Sequence, residues 1–469
     1  MAGGYGDVDF TTRDSKASLL DEATFMGKEV RIMKGKRYWV WLLISVWLVV
    51  GITIQAEAKV KLRFQHLWWS KGNEKVFGDK IKEFEKLNPD VEVEYYYTPF
   101  EQYRNVLVTR LVAGDAPDIV HYSDETIGDW VQMGAFRNLR ELISKDIIDS
   151  YVPSALKNVD INGNLIGLSI GHAPDHLGFY YRVDIFKQYG ITPPRSGENW
   201  TWEEAVKAAQ KLTDPSKDQW GWVARCNLPF TFQKGLNWIL WINGGGIVEK
   251  AANEPPPLGK WVSGFKNPKT VEAYKFYLDL WHKYKVRPKE LVNMASLGVE
   301  EGFVKGKFPM VEWGQHFSKV SLANKYPELK FGQHWDIMLL PGPNHNKILP
   351  VHDHFWGITK QSKNPEVAAK LLTFMLGDKD YVRRQSEADY NFTPPLKVWH
   401  NSPIYKNDPF HSKLLKAYDR VVYFPLAPKY GAIMDGIVGP VTQEAILGQI
   451  TPDQAIKEMD KRINDLLLY

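Results

Sequence analysis

The sequence predicts an α/β fold spread over more than one domain. Two observations carry that expectation. Residues 59–123 read strand, helix, strand, helix, strand, the pattern of a parallel sheet with right-handed crossovers. The chain also has 469 residues, 44% of them hydrophobic, which exceeds what a single core absorbs.

A targeting segment comes first. Lys34, Lys36 and Arg37 precede the apolar run 38–54 (YWVWLLISVWLVVGITI), and Ala56-Glu57-Ala58 forms an A-x-A cleavage pattern. A signal cleaved after Ala58 is expected, so residues 1–58 form an N-terminal extension plus signal. A retained anchor is the other reading, because the run is only slightly short for a spanning helix. Met26 or Met33 is a candidate start. No cysteine stands at the cleavage site, which excludes a bacterial lipid anchor.

The α/β elements follow. Residues 59–67 (KVKLRFQHL) alternate in part, as a strand does. Val76, Phe77, Ile81, Phe84 and Leu87 recur on one side of a helix over 73–87. A turn at Pro89-Asp90 leads to a strand with Val91 and Val93 on one face. Residues 102–112 form a second amphipathic helix that ends at Gly114, and 116–123 (APDIVHYS) a third strand. Residues 178–191 read as a strand and a short helix. Pro193 and Pro194 mark a loop, and Thr201 with Glu204 three residues on is a capping signal. Further helices are expected over 271–284, 368–376 and 452–467. The Pro-rich stretch 254–261 (EPPPLGKW) reads as a rigid surface connection.

Composition excludes some functions. A net charge of +4 with no basic block gives no support to nucleic-acid binding. Cys226 is the single cysteine, so no intramolecular disulfide or cysteine-based zinc cluster forms, and it reads as a small buried hydrophobe. Eighteen tryptophans are far above ordinary usage, and aromatic faces pack on the apolar faces of sugar rings as well as in cores.

Six stretches in order carry a family resemblance: 84–95 (FEKLNPDVEVEY), 111–124 (LVAGDAPDIVHYSD), 178–213, 301–314 (EGFVKGKFPMVEWG), 355–376 and 450–465. The chain resembles the extracellular solute-binding proteins of ABC importers, nearest the carbohydrate-binding, maltose-binding-like group. The resemblance implies a two-lobed, periplasmic-binding-protein-like α/β fold. Its ligand cleft lies between lobes joined by a multi-segment hinge. It places lobe 1 at 59–173 and 354–392, and lobe 2 at 174–353 and 393–469. It implies an exported protein, periplasmic or on the outer side of the cell membrane. Such a protein binds a sugar or oligosaccharide as a monomer, without cofactor or resident metal, and hands it to the transmembrane subunits of an ABC permease.

It also implies contacts, position by position. These are Tyr122, Ser123 and Asp124 after the third strand, and Asp175 with His176 where the chain enters the second lobe. Trp313, Gln315 and His316 lie at the EWG turn; Asp353, His354 and Trp356 lie on the crossing segment; Tyr430 and Asp435 lie near the C-terminus. Trp68 and Trp69 end the first strand, where ligands approach an open sheet. Being adjacent, they point to opposite faces, so only one reaches ligand. Trp238 is a further aromatic candidate, although its spacing from Trp241 is a helical core spacing. Two departures from the group bear on the ligand. Asp175 stands where a glutamate is common, and the candidate pocket is rich in histidine (His121, His172, His176, His316, His352, His354).

Three alternatives remain at this stage. His352 and His354 share one strand face and could chelate a metal, but no HExxH or third local ligand joins them. Asp124, Asp175 and Asp353 could supply the two carboxylates of a glycoside-active enzyme, with nothing to order them as acid and nucleophile. A non-sugar solute such as a peptide or polyamine is the third. N-terminal sequencing of the exported protein is expected to begin at Lys59; a peptide from residues 2–25 in the precursor would rule out a start at Met26 or Met33.

Overall fold

A computed structural model describes residues 59–67, 71–98, 100–123, 127–173, 178–195, 198–226, 232–251, 259–345, 349–388, 392–416 and 420–468. The apolar N-terminal run, most of the 254–261 loop, and Trp68, Trp69, Asp124, Asp175 and His176 lie outside them. Among the described residues no helix is long and apolar enough to cross a membrane.

Ten described strands build two five-stranded sheets. Along the chain they are β1 (Val60–Leu67), β2 (Val91–Thr98), β3 (Ile119–Ser123), β4 (Leu168–Ala173), β5 (Gly178–Arg182), β6 (Asn199–Thr201), β7 (Val223–Ala224), β8 (Met310–Trp313), β9 (Trp335–Gly342) and β10 (His352–Ile358). The first sheet has the order β2-β1-β3-β10-β4 and the second β6-β9-β5-β8-β7. In the first, β1 pairs in parallel with β2 and β3, as the alternating pattern predicts. The sheet is nonetheless mixed: β10 returns from far along the chain and lies antiparallel between β3 and β4.

Each sheet has its own core. Helix α1 (Lys71–Leu87) turns Phe77, Ile81 and Phe84 onto the first sheet, against Leu62 and Phe64 of β1. Residues three and four apart share a helix face, so this stripe buries as a unit, each side chain contributing about 1.5–3 kcal/mol. In the second lobe, α2 (Trp202–Leu212) starts as its sequence predicts. Thr201 Oγ1 accepts from the Glu204 amide at 3.2 Å, and the Glu204 carboxylate accepts from the Thr201 amide at 2.7 Å. The same box, Thr451 with Gln454, opens α3 (Pro452–Leu467), which buries Ala455, Met459 and Ile463 at four-residue spacing. Cys226 is buried, as expected, and burial pushes its thiol up to about 11.

The chain changes lobes at places that differ from expectation. His352 and Asp353 already pair with Ala173 and His172 of β4, so the crossing precedes the 353/354 break. Leu396 belongs to the first core and Phe410 to the second, so the later switch falls between these two rather than at 392/393. The Val152 amide holds the Pro395 carbonyl at 2.9 Å and fixes 395–396 on the first lobe. Leu349 and Pro350, just before the crossing, pair in parallel with Val421 and Val422, which pack on the second core.

The second core encloses an ion pair. Arg287 Nη2 meets Glu312 Oε1 at 2.6 Å, and both side chains are almost wholly buried. Trp222 Nε1 donates to the same oxygen, and the guanidinium lies 4.8 Å from the centre of the Trp281 ring. Burial pushes the Glu312 carboxyl up, against the opposing pull of Arg287. Removing one partner strands the other charge in the core. Arg287→Met is therefore expected to lower stability in urea unfolding by about 3–5 kcal/mol, and a loss below about 1 kcal/mol would contradict this.

Candidate functional site

Strand ends set the site. β1 and β3 end together at one edge of the first sheet, β4 leaves that edge for the second lobe, and β10 enters it. Ligands of open α/β sheets approach such carboxyl ends. On β10, His354 pairs with Ser123 of β3 and Gly171 of β4. The His354 ring stacks on Phe392 at 6.0 Å and 15°. Gly171 leaves room for that ring, because a Cβ there would lie 2.7 Å from Phe392 Cδ2. Asp353 is fully buried beside it, and Ser123 nearly so.

The second lobe contributes the turn after β8. Tyr180 donates its hydroxyl to the carbonyls of Gly314 (3.0 Å) and Gln315 (3.2 Å), which pins the turn to the sheet. Trp313 stacks on Phe317 at 4.5 Å, and the Arg225 guanidinium lies 4.7 Å over the Trp313 ring. Trp313 Nε1 donates to His316 Nε2 at 3.0 Å. An indole N–H can only donate, so neutral His316 carries its proton on Nδ1. Gln315 is buried, while His316 is half-buried. Across the lobes, Lys319 Nζ donates to the Glu387 carbonyl.

Four expected contacts are core residues instead. Tyr122 is buried, stacked on Phe355, with its hydroxyl donated to the Ile166 carbonyl at 3.0 Å; burial holds that hydroxyl far above its ordinary value. Trp356 packs edge-on to Phe64 (5.2 Å) and Phe77 (5.7 Å) in the first core. Trp238 packs on Trp241 (4.8 Å) and Phe424 (5.5 Å) in the second, as its helical spacing suggested. Tyr430 is also buried there, donating its hydroxyl to Asn237 Oδ1 at 3.0 Å, while Asp435 is half-buried. The structure brings Ser123, Asp353 and His354 together at one edge of the first sheet, and Trp313, Gln315 and His316 at the turn after β8, where Trp313 is buried in the second core. Phe392, Arg225 and His66 were missed by the sequence reading. Only His66 carried a signal, as a histidine on the same strand face as Leu62 and Phe64. Among the described residues no group of three or more His, Cys, Asp or Glu is placed to hold a metal.

Residues 70–382 match the family of bacterial extracellular solute-binding proteins. The chain belongs to that family. The maltotriose-binding protein of Pyrococcus abyssi is 22% identical over 385 residues, covering 78% of this chain and 74% of that protein. Among solved structures, an ABC substrate-binding protein of Listeria monocytogenes in complex with cycloalternan superposes with a TM-score of 0.70. It is 22% identical and covers 88% of this chain and all 100% of the other. Maltose-bound MalE3 of T. maritima gives a TM-score of 0.70 at 21% identity, covering 87% and 100%. The two-lobed solute-binding fold expected from the sequence is therefore the fold of this protein.

Tyr122 separates the core assignment from the cleft assignment. Tyr122→Phe leaves the Ile166 carbonyl without its donor, and is expected to lower stability by about 1 kcal/mol in denaturant unfolding while leaving ligand affinity unchanged. A loss of affinity with unchanged stability would return Tyr122 to the cleft.

Proposed function

We propose that this solute-binding protein captures a sugar or oligosaccharide between its lobes outside the membrane and delivers it intact to the transmembrane subunits of an ABC permease. It acts as an exported monomer, with no cofactor, metal or nucleic acid. The family match over 70–382 carries the reading, together with relatives whose names cite maltotriose, maltose and cycloalternan.

The site chemistry supports it. A neutral sugar offers hydroxyls that both donate and accept, and C–H faces that stack on aromatic rings. The first rim supplies Ser123, Asp353 and His354, and the second Trp313, Gln315 and His316; Asp435 and the candidates Trp68, Trp69, Asp124, Asp175 and His176 complete the proposed set. A ligand touching both rims is favoured only when the lobes close, so binding free energy drives the hinge.

Thermal unfolding against a panel of malto-oligosaccharides, with and without chelator, tests this. A sugar at about 100 times its dissociation constant stabilises the native state by about 2.7 kcal/mol, raising the midpoint. The expected result is a shift with one sugar family, unaffected by chelator, with the sugar recovered intact. Hydrolysed sugar would make the protein an enzyme. A shift only with zinc or peptides would remove the carbohydrate assignment.

A further inference from the structure

Three buried histidines run in a string across the first sheet: His66 near the end of β1, His121 on β3 and His354 on β10. Their hydrogen bonds fix where each proton sits. His66 Nδ1 lies 2.7 Å from the Leu67 carbonyl. A carbonyl only accepts, so this nitrogen carries the hydrogen. The Leu67 amide reaches His121 Nδ1 at 3.3 Å. An amide only donates, so His121 Nδ1 presents its lone pair. His121 is thereby neutral with its proton on Nε2, because a charged ring would turn a second N–H toward the Leu67 N–H. His121 Nε2 lies 3.0 Å from His354 Nδ1. That nitrogen must accept, and the His354 proton is left on Nε2. The 3.5 Å approach of His66 Nδ1 to His121 Nδ1 sets a donor against an acceptor, consistent with this order.

The strand register creates the string. The β1–β3 ladder reaches only the Gln65–Val120 pair. Two residues on, the Leu67 amide takes the His121 ring as its acceptor. His66 is packed edge-on by Phe77 (4.5 Å), Tyr97 (5.6 Å) and Trp356 (5.6 Å), and burial lowers its pKa to about 3, so it stays neutral. His354 is clamped between His121 and Phe392.

We propose that His121 is a positioning residue of the ligand site: it holds His354 in the neutral Nε2–H tautomer, which makes His354 a fixed hydrogen-bond donor to a sugar hydroxyl. This rests on the sugar-binding reading above. A hydroxyl can play either role, so an unlocked imidazole can meet it as donor or acceptor; a locked one forces the hydroxyl to accept. The specificity gained is for sugar stereoisomers that turn a lone pair toward His354.

The test is 15N NMR of the histidine side chains in the whole protein, with the His354 signals assigned by their absence in His354→Gln. Expected without ligand is a neutral His354 protonated on Nε2, and expected with maltotriose is a shift of that Nε2–H. An Nδ1–H or charged His354 in the ligand-free protein at pH 7 would overturn the string whether or not any sugar binds. A correct tautomer whose signals ignore bound maltotriose would overturn its role in the site. Failure of maltotriose and every other sugar to bind, with the tautomer as expected, would instead sink the proposed function. His121→Phe is expected to release the His354 tautomer and weaken maltotriose binding about 5-fold, the equivalent of one hydrogen bond. His121→Gln, whose carbonyl accepts from Leu67 and whose amide donates to His354, is expected to restore most of both. Equal loss in the two variants would reduce His121 to packing.

Discussion

The insertion of β10 between β3 and β4 is the constraint on which the rest depends. Without it, β4 has no partner in the first sheet, and the first lobe lacks the strand that carries Phe355, Trp356 and Ile358 into its core. β10 reaches that place only after the chain has crossed to the second lobe and returned. The first lobe therefore cannot be completed from its own contiguous segment, and the connecting segments are a requirement of sheet assembly. The same strand delivers Asp353 and His354 to the sheet edge facing the lobe junction. Pairing that builds the lobe and placement of its polar rim are one event.

That arrangement has a polar consequence. A strand that enters a sheet at its edge brings polar groups into partial or full burial there. Asp353, His354, His121, Gln65 and His66 are all buried within a few residues of the edge. Buried polar groups need partners, and an amide beyond the end of a ladder needs an acceptor. The His121 ring answers both needs at once. The second rim uses the same device with different residues: the Tyr180 hydroxyl pins the turn carbonyls, and Trp313 fixes the tautomer of His316.

Local features were legible in the sequence and long-range pairing was not. The alternation of Val91 and Val93, the stripe of Phe77, Ile81 and Phe84, and the Thr201–Glu204 box each depend on residues within a turn or two and appear as read, whereas Leu87, expected on the same stripe, turns out to solvent. The parallel sheet became mixed because nothing local to 352–358 says which strand it will lie beside. The choice of Tyr122 and Trp356 as cleft residues failed for a related reason. Motif position locates a strand end, but the face each side chain takes is set by strand pleat and register, and β10 also shifts register between His354 and Phe355. The lobe switches were misplaced because a connecting segment has no periodicity of its own; only packing shows that Leu396 stays with the first core.

The two rims also bear on what kind of solute fits. His354 carries its proton on Nε2 and His316 on Nδ1, each fixed by a neighbour that has no other role available to it: an amide acting through His121, and an indole. On both sides the nitrogen whose lone pair accepts is held by a neighbour, and the other nitrogen is the one that carries the proton. A polyamine or other cationic solute brings only donors and gains nothing from either ring. A sugar hydroxyl or ring oxygen brings lone pairs to both. Under the proposed function, the pair of His354 and His316 therefore favours an oxygen-rich neutral ligand. It does so with uncharged donors, whose desolvation on closure is far less unfavourable than that of a lysine or arginine in the same place.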